Sequence, residues 1–244
     1  MDVFFSESYR ELVESPNGKF WFMNMPLPDG RRIAGLDTDR HREQKLWHSC
    51  FPDRARVRGR RVLDIGANDG YFSIAACLAG AAHVTALNTD QLNTQSWPAN
   101  IELAARAWNV SPEIVTGDFL AHEPDSPYDI VLCLGVLYHV ENVFAAAKKL
   151  RRLLQPDGVL CVETQLTRQR AAGPIFELAS DRLPTTVPQY ALGLDTLGNS
   201  NFLIPNEAAV VALFQSYGMT ARPLGKNAYE KTRPTRRIFT VTID

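Results

Sequence analysis

The stretch "VLDIGANDGYFS", Val62 to Ser73, carries the strongest indication of the fold. "VLDI" is apolar apart from Asp64, which predicts a short buried strand, and "YFSIAACLAG" predicts a helix that ends at Gly80. Between them, Gly66 and Gly70 allow close approach of a ligand and backbone conformations that a side chain disfavours. The spacing is G-x-N-x-G, not the G-x-G-x-x-G of dinucleotide sites. We therefore predict a ligand-binding turn that does not hold a pyrophosphate.

The rest of the chain after Arg61 alternates between strand and helix signals. The next predicted strands are "HVTAL", "EIVTGD", "YDIVLCLG" and "VLCVET", and the predicted helices are "LNTQSWPANIELAARAWN", "VFAAAKKLRRLL", ended by "QPDG", and "NEAAVVALFQSYG". The final run, "RRIFTVTI", alternates as an edge or hairpin strand does. This order predicts an α/β, Rossmann-like domain, in which a mostly parallel sheet carries helices on both faces.

Two segments lie outside this alternation. Residues 1–60 are predicted to form an N-terminal extension on the substrate side, with a helix at "ESYRELVES" and a β-hairpin around "PDG". Residues 164–205 are too long for an ordinary connection, and their aromatic and aliphatic side chains favour a packed cap insertion after the fifth strand. We therefore expect an extension over 1–60 and a catalytic domain over 61–244.

Composition narrows the classes of partner. The chain has 244 residues, 45% hydrophobic and 22% charged, with a formal net charge of −1, so nothing global argues for a polyanionic partner. The run "RARVRGRR", Arg54 to Arg61, is a local exception. It is either a solvated flank or a seat for an acidic substrate or an RNA backbone.

The apolar runs, the cysteines and the histidines of the sequence predict where the protein is located and whether it binds a metal. The first residues lack the pattern of a signal peptide, and no apolar run reaches the ~18 residues of a membrane span. The four cysteines form no C-x-x-C pair, so we predict free thiols. The histidines lack the spacing of metal ligands, so no metal site is expected. The predicted protein is cytoplasmic with no membrane partner, and no pattern indicates an oligomeric state.

Polar side chains follow several predicted strands, and the carboxyl ends of parallel strands meet at one edge of the sheet. Asp64 is predicted to hold an ammonium group, with capping of the turn as the alternative. Asp118 follows the third strand and is predicted to contact a ligand, with a role as an N-cap or turn residue as the alternative. His139 is a general base, a hydrogen-bond partner of the acceptor or a residue that orients its loop. Glu163 is a substrate contact or an anchor for the following loop.

This ordered set of motifs, from Arg61 to Glu163, resembles the class I S-adenosylmethionine-dependent methyltransferases. The resemblance implies a seven-stranded sheet and S-adenosyl-L-methionine as cofactor. The turn would cradle the methionine portion, the second strand tip would meet the ribose, "TGDF" would flank adenine, and the fourth strand tip would lie beside the sulfonium. The implied cofactor-binding residues are Asp64, Gly66, Ala67, Asn68, Gly70, Asn88, Thr89, Asp118, Phe119, Leu134 and Gly135.

A narrower resemblance is carried by "LGVLYHVEN", "VLCVETQ", "NSNFLIPNEAAVVALFQSYGM" and "PLPDGRRIAGLDTDRHREQKLWHSCFP". These are similar to the family of the tRNA wobble-uridine carboxymethyltransferase and its small-molecule methyltransferase relatives. The favoured function is methyl transfer to a small-molecule acceptor. The alternatives are tRNA wobble-uridine alkylation, with S-adenosylmethionine or its carboxylated derivative, and a non-catalytic binding module. The candidate catalytic residues are His139 and Tyr138, and the candidate substrate-binding residues are Trp47, Glu163, Tyr190 and Asn201.

The residue at the predicted ribose position differs from the one usually found there, and the difference should change the affinity for the cofactor. Nucleotide-binding sheets usually present an acid there, whereas this chain has Asn88, with Asp90 two residues later. An amide keeps one acceptor and adds a donor, so it can still pair with a ribose diol. Loss of the charge costs about 1–2 kcal/mol, or roughly tenfold in affinity. We therefore expect a cofactor that is bound more weakly, not one that is absent.

Overall fold

The computed structural model describes residues 12–35, 39, 41–89, 97–169, 171–178, 202–225, 228–232 and 235–244. Its N-terminal part contains three short strands, β1 (Leu12–Val13), β2 (Met25–Pro26) and β3 (Arg32–Ile33), in the order β1-β3-β2. The antiparallel pairing of β2 with β3 confirms the hairpin predicted around "PDG". The helix α1 (Arg42–Cys50) and a 3-10 turn over Arg54–Arg56 follow.

The helix predicted over "ESYRELVES" is wrong at its described end. Leu12 and Val13 form β1 and pair in parallel with β3. A nine-residue helix has little stability without packing, and the following Pro16 disfavours helical backbone at the residue before it. Strand pairing with β3 is therefore the conformation adopted there.

The central sheet has seven strands, as the resemblance implied. Five are parallel to one another: β4 (Arg61–Ile65), β5 (His83–Asn88), β6 (Glu113–Thr116), β7 (Tyr128–Leu134) and β8 (Leu154–Gln165). Of the other two strands, β12 (Arg236–Ile243) runs antiparallel to β8, and β11 (Met219–Pro223) runs antiparallel to β12. The order is β11-β12-β8-β7-β4-β5-β6, which confirms a mostly parallel, Rossmann-like sheet.

Helices cover both faces of this sheet: α2 (Tyr71–Leu78), α3 (Trp97–Trp108), α4 (Val143–Leu153), α5 (Glu207–Gln215) and α6 (Ala228–Thr232). Alternate residues of the strands point to opposite faces. One hydrophobic cluster joins α1, α2 and α3 to the N-terminal strands and includes Trp21, Met25 and Ile33. A second cluster joins α4 and α5 to the opposite face, and a third, smaller one contains Ala67, Ala86, Trp97 and Ile101. The N-terminal part therefore shares the core of the sheet.

Two local predictions differ from the structure. The helix α4 ends at Leu153, but "QPDG", residues 155–158, lies within β8 and does not form a separate turn. The ladder between β7 and β8 shifts register between Tyr128 and Ile130, which accommodates these residues. The strand β12 pairs with both β8 and β11, so it is not an edge strand, although its pairing with β11 is the predicted antiparallel one.

The predicted cap insertion is described in part. The strand β9 (Phe176–Leu178) pairs antiparallel with β10 (Leu203–Pro205). Phe202 donates its backbone N–H to the carbonyl of Tyr138 at 2.8 Å, which connects the end of the insertion to the loop after β7. The candidates Tyr190 and Asn201 lie outside the described residues. Within the described ranges, no helix has the length and apolar character needed to cross a bilayer.

Candidate active site

The turn after β4 has the backbone that its glycines predicted. Gly66, Asn68 and Gly70 all have positive φ angles, of +69°, +51° and +82°. A Cβ atom on Gly66 would lie 2.7 Å from the Val136 side chain, so that position excludes a larger residue. Asparagine is among the few side chains that tolerate this region. The backbone N–H of Gly66 donates to the Leu87 carbonyl at 2.8 Å, which holds the turn against the end of β5.

Asp64 lies at the base of this turn. Its side chain is buried, with 2% exposure, and it accepts a hydrogen bond from Ser73 Oγ at 2.7 Å. Ser73 lies in the first turn of α2, so this bond joins the end of β4 to the start of that helix. Burial raises the pKa of Asp64 to about 7. A cationic ligand group would stabilise its carboxylate form.

Asn88 is the last residue of β5 and is 4% exposed. Its backbone carbonyl accepts from Gly117 N–H at 2.8 Å, which brings the end of β6 alongside. An amide can donate to and accept from the two hydroxyls of a ribose. The residue present therefore fits the group that the sequence predicted.

The loop after β6 places Asp118 at the surface and Phe119 largely buried. Asp118 Oδ1 accepts from the backbone N–H of Leu120 at 2.9 Å, so the residue has the turn role given as its alternative. Phe119 is 8% exposed and packs in the cluster on the α4 face. Both lie beside the end of β5, where an adenine ring next to the ribose would meet them.

The tip of β7 brings the predicted acceptor residues together. Leu134 is the last residue of β7, and Gly135 follows with a φ of +78°. A Cβ atom on Gly135 would lie 3.4 Å from Tyr138 Oη, so the tyrosine hydroxyl folds back over the strand tip. Tyr138 is buried and His139 is half-buried, both in a 3-10 turn, and their ring centroids are 4.3 Å apart.

An ionic network underneath this turn was not predicted from the sequence. Glu163 has no exposed surface, and its carboxylate accepts from Tyr229 Oη at 2.8 Å and from Arg236 Nη1 at 3.4 Å. The same Nη1 atom donates to Tyr138 Oη at 2.6 Å, and the guanidinium lies 4.6 Å from the centre of the Tyr138 ring. Glu163 therefore holds Tyr229 and Arg236 beneath the turn, and its contact with a substrate stays a prediction.

The protonation states in this network follow from burial and charge. Burial alone would lower the pKa of Arg236, but the Glu163 carboxylate and Tyr138 raise it above its ordinary value. Burial, followed by the charge of Glu163, raises the pKa of Tyr229 well above its usual range. Tyr229 therefore remains a proton donor and Arg236 a cation. The only sequence signal for Arg236 was the "RR" that opens the last strand.

Neither Trp47 nor the arginine run Arg54–Arg61 contributes to the carboxyl edge of the sheet. Trp47 has no exposed surface and its ring centroid is 4.8 Å from that of Phe51, so we assign it to packing and not to substrate binding. The run Arg54–Arg61 ends at the amino end of β4, whereas the turn follows its carboxyl end. Five strand residues separate the two by roughly 17 Å. Arg60 is paired with Asp129 at 3.2 Å.

Comparison with known sequences shows that the chain is similar to two kinds of methyltransferase. A tRNA U34 carboxymethyltransferase from Idiomarina loihiensis is 28% identical over 130 residues, which cover 53% of this chain and 40% of that protein. A ubiquinone biosynthesis O-methyltransferase from Xylella fastidiosa is 28% identical over 207 residues, which cover 82% of this chain and 80% of that protein. The matches span only 40% to 58% of the first curated relatives.

Solved structures share the fold. Magnesium protoporphyrin IX methyltransferase from Synechocystis, with bound SAH, superposes with a TM-score of 0.55 at 20% identity, over 86% of this chain and 90% of that one. A 1,6-didemethyltoxoflavin-N1-methyltransferase from Burkholderia thailandensis gives a TM-score of 0.54 at 16% identity, over 84% of each chain. Residues 36–203 of this chain match the family described as the methyltransferase domain. The resemblance inferred from the motifs is thus confirmed, and the chain belongs to the methyltransferase-domain family.

Proposed function

We propose that this protein transfers a methyl group from S-adenosylmethionine to a small-molecule acceptor at the carboxyl edge of its sheet. The observation that carries the proposal is the positive-φ turn after β4, which has the buried carboxyl group of Asp64 at its base. Membership of the methyltransferase-domain family supports both the enzyme class and the cofactor. The extensive match to a ubiquinone biosynthesis O-methyltransferase supports a small-molecule acceptor.

The roles of the residues follow from their chemistry. S-adenosylmethionine supplies an electrophilic methyl group on a sulfonium, which is already a good leaving group. Asp64 would bind the ammonium group, the Gly66–Gly70 turn the methionine backbone and Asn88 the ribose. The main task on the acceptor side is proximity, since the lone pair must lie ~3 Å from the methyl carbon. Tyr138 would orient the acceptor, and His139 would take its proton when the acceptor is a hydroxyl.

The transfer of an alkyl group to tRNA is the less favoured proposal. Phosphate contacts would have to come from a basic surface near the site, because counterion release dominates such binding. The arginine run Arg54–Arg61 precedes β4, at the end opposite to the turn. The non-catalytic alternative is disfavoured by the match to the methyltransferase family. We propose a cytoplasmic location, which the four free cysteines support.

Substitution of Asn88 with aspartate is the direct test of this assignment. The new carboxylate would accept charge-assisted bonds from both ribose hydroxyls, so we expect the Kd for S-adenosylhomocysteine to fall about tenfold. Isothermal titration calorimetry measures this Kd. Asn109→Asp makes the same chemical change at an exposed position after α3 and should leave the Kd unchanged. Unchanged or weaker binding by N88D would show that Asn88 does not contact the ribose.

The affinity for cofactor should also depend on pH through Asp64. Its pKa of about 7 in the free protein means that a falling pH protonates the carboxylate and removes the partner of the ammonium group. Proton linkage then predicts that binding weakens about eightfold between pH 7.5 and pH 6. Titrations of S-adenosylhomocysteine across this range measure the slope. Asp64→Asn should bind weakly and without this slope; the same slope in D64N would assign it to another group.

A further inference from the structure

A second carboxylate in the glycine turn has no role in the proposed chemistry. Asp69 lies between Asn68 and Gly70 and is buried, with 2% exposure. Its Oδ2 atom accepts from the backbone N–H groups of Phe22 at 2.6 Å and Met23 at 2.7 Å. Those two amides belong to the N-terminal segment, 47 and 46 residues earlier in the chain. The turn is thus bonded directly to a distant segment.

The other oxygen of Asp69 brings in a third element. Asp69 Oδ1 accepts from Asn100 Nδ2 at 2.9 Å, and Asn100 in α3 has no exposed surface. The same Nδ2 donates to the Phe20 carbonyl at 2.8 Å, while Asn100 Oδ1 accepts from Asn17 Nδ2 at 2.9 Å. The N-terminal segment, the turn and α3 therefore meet in one buried hydrogen-bond network around Asp69.

The chemistry of this network requires a carboxylate. Three donors point at the Asp69 side chain, and an ionised carboxylate accepts at both oxygens, whereas an amide would turn an NH₂ group toward one of the donors. Burial of a charge is costly unless it is hydrogen-bonded, and these three bonds supply that compensation. Two flanking residues with positive φ hold the turn in a conformation that needs support from its surroundings. Asp69 connects that conformation to residues 17–23.

We propose that Asp69 is a positioning residue, which fixes the Gly66–Gly70 turn against the N-terminal segment 17–23 so that the cofactor site is complete only with that segment docked. The inference rests on the proposed function of the turn as the seat of the methionine portion. It makes the segment before α1 a part of the cofactor site. Docking of this segment and cofactor binding then stabilise one another, because both favour the same conformation of the turn.

The test combines the affinity for S-adenosylhomocysteine with the rate of hydrogen exchange at backbone amides of the N-terminal segment. Asp69→Asn should raise the Kd for S-adenosylhomocysteine about tenfold, since two or three hydrogen bonds lose geometry. It should also speed hydrogen exchange at the Phe22 and Met23 amides. Asp29→Asn makes the same change in an exposed ion pair with Arg31 in the hairpin, and should alter neither quantity. D69N that binds as wild type while those amides exchange fast would overturn the inference.

General loss of stability must be separated from positioning. Leu213→Ala removes a buried side chain from α5 on the opposite face of the sheet, so it lowers the melting temperature without touching the turn. It should keep the wild-type Kd. A Kd raised in L213A as much as in D69N would assign the effect to general stability and contradict the inference.

A measurement on the wild-type protein covers the case in which D69N does not fold. Saturating S-adenosylhomocysteine should slow exchange of the Phe22 and Met23 amides by about tenfold, the reciprocal of the effect on affinity. Unchanged exchange in a protein that binds the compound would overturn the inference and leave the proposed function intact. A wild-type protein that does not bind the compound would instead overturn the proposed function.

Discussion

His139→Ala should lower the turnover number for a hydroxyl acceptor by about 10²–10⁴-fold, the usual contribution of a positioned general base. His139 lies half-buried in the turn after β7, with its ring 4.3 Å from that of Tyr138. An aliphatic or phenolic hydroxyl becomes a good nucleophile only as it loses its proton. The effect should fall on turnover, while the Kd for S-adenosylhomocysteine stays within about twofold of wild type, because none of the proposed cofactor contacts is removed.

The measurement is release of S-adenosylhomocysteine from a panel of small hydroxyl, amine and carboxylate acceptors. His122→Ala provides a matched control, since His122 is 3.2 Å from the hydroxyl of Tyr128, which lies at the amino end of β7 and not at the strand tip. It should leave turnover unchanged. Tyr138→Phe keeps the ring beside His139 but removes the hydroxyl that Arg236 contacts. Turnover of H139A within about threefold of wild type, on an acceptor that has to lose a proton, would exclude His139 as the base.

Arg236→Met should destabilise the protein by about 3–5 kcal/mol, because it leaves the Glu163 carboxylate buried without a cation. Glu163 has no exposed surface and, among the residues that the structure describes, its side chain would keep the hydrogen bond from Tyr229 alone. For a chain of this size the loss corresponds to a fall in melting temperature on the order of 10 °C. Urea unfolding of the two proteins, with the slopes compared, gives the change in the free energy of unfolding.

The double variant Arg236→Met with Glu163→Gln provides the control. It removes both charges, so most of the stability lost in R236M should return, since a neutral pair avoids the cost of a buried lone carboxylate. The coupling between the two positions is obtained from a double-mutant cycle. A loss below about 1 kcal/mol in R236M would mean that water or another group solvates Glu163. Equal losses in the single and double variants would exclude charge pairing as the cause.

The parallel core of the fold was predictable because its signals are local. Apolar runs such as "YDIVLCLG" and the glycines at the strand-to-helix turn act within a few residues, and both predictions are confirmed. The strand tips then follow from topology, since parallel strands end at a common edge. Asp64, Asn88 and Tyr138 could be selected on that basis, although their ligand contacts stay predictions.

The parts that were missed depend on distant pairing. Leu12 and Val13 become a strand only because β3 lies beside them. Arg236 reaches Glu163 because β12 pairs with β8, a contact between residues 73 positions apart. In the sequence, Asp69 is simply one residue of the predicted turn. No pattern of residue spacing indicates its hydrogen bonds to Phe22 and Met23. Tertiary contacts of this kind override local preference, and a single sequence carries little trace of them.

The insertion of β12 between β8 and β11 has a consequence for self-association. The outermost strands of the seven-stranded sheet are β6, with four residues, and β11, with five. A free strand border is a template on which another chain can add and begin to aggregate. Here one border is short and starts at the exposed Glu113, and the other ends at the exposed Arg222 and at Pro223, which has no N–H to donate. The long apolar strands lie inside the sheet. The exposed edges are therefore poor templates for the addition of a strand from another molecule.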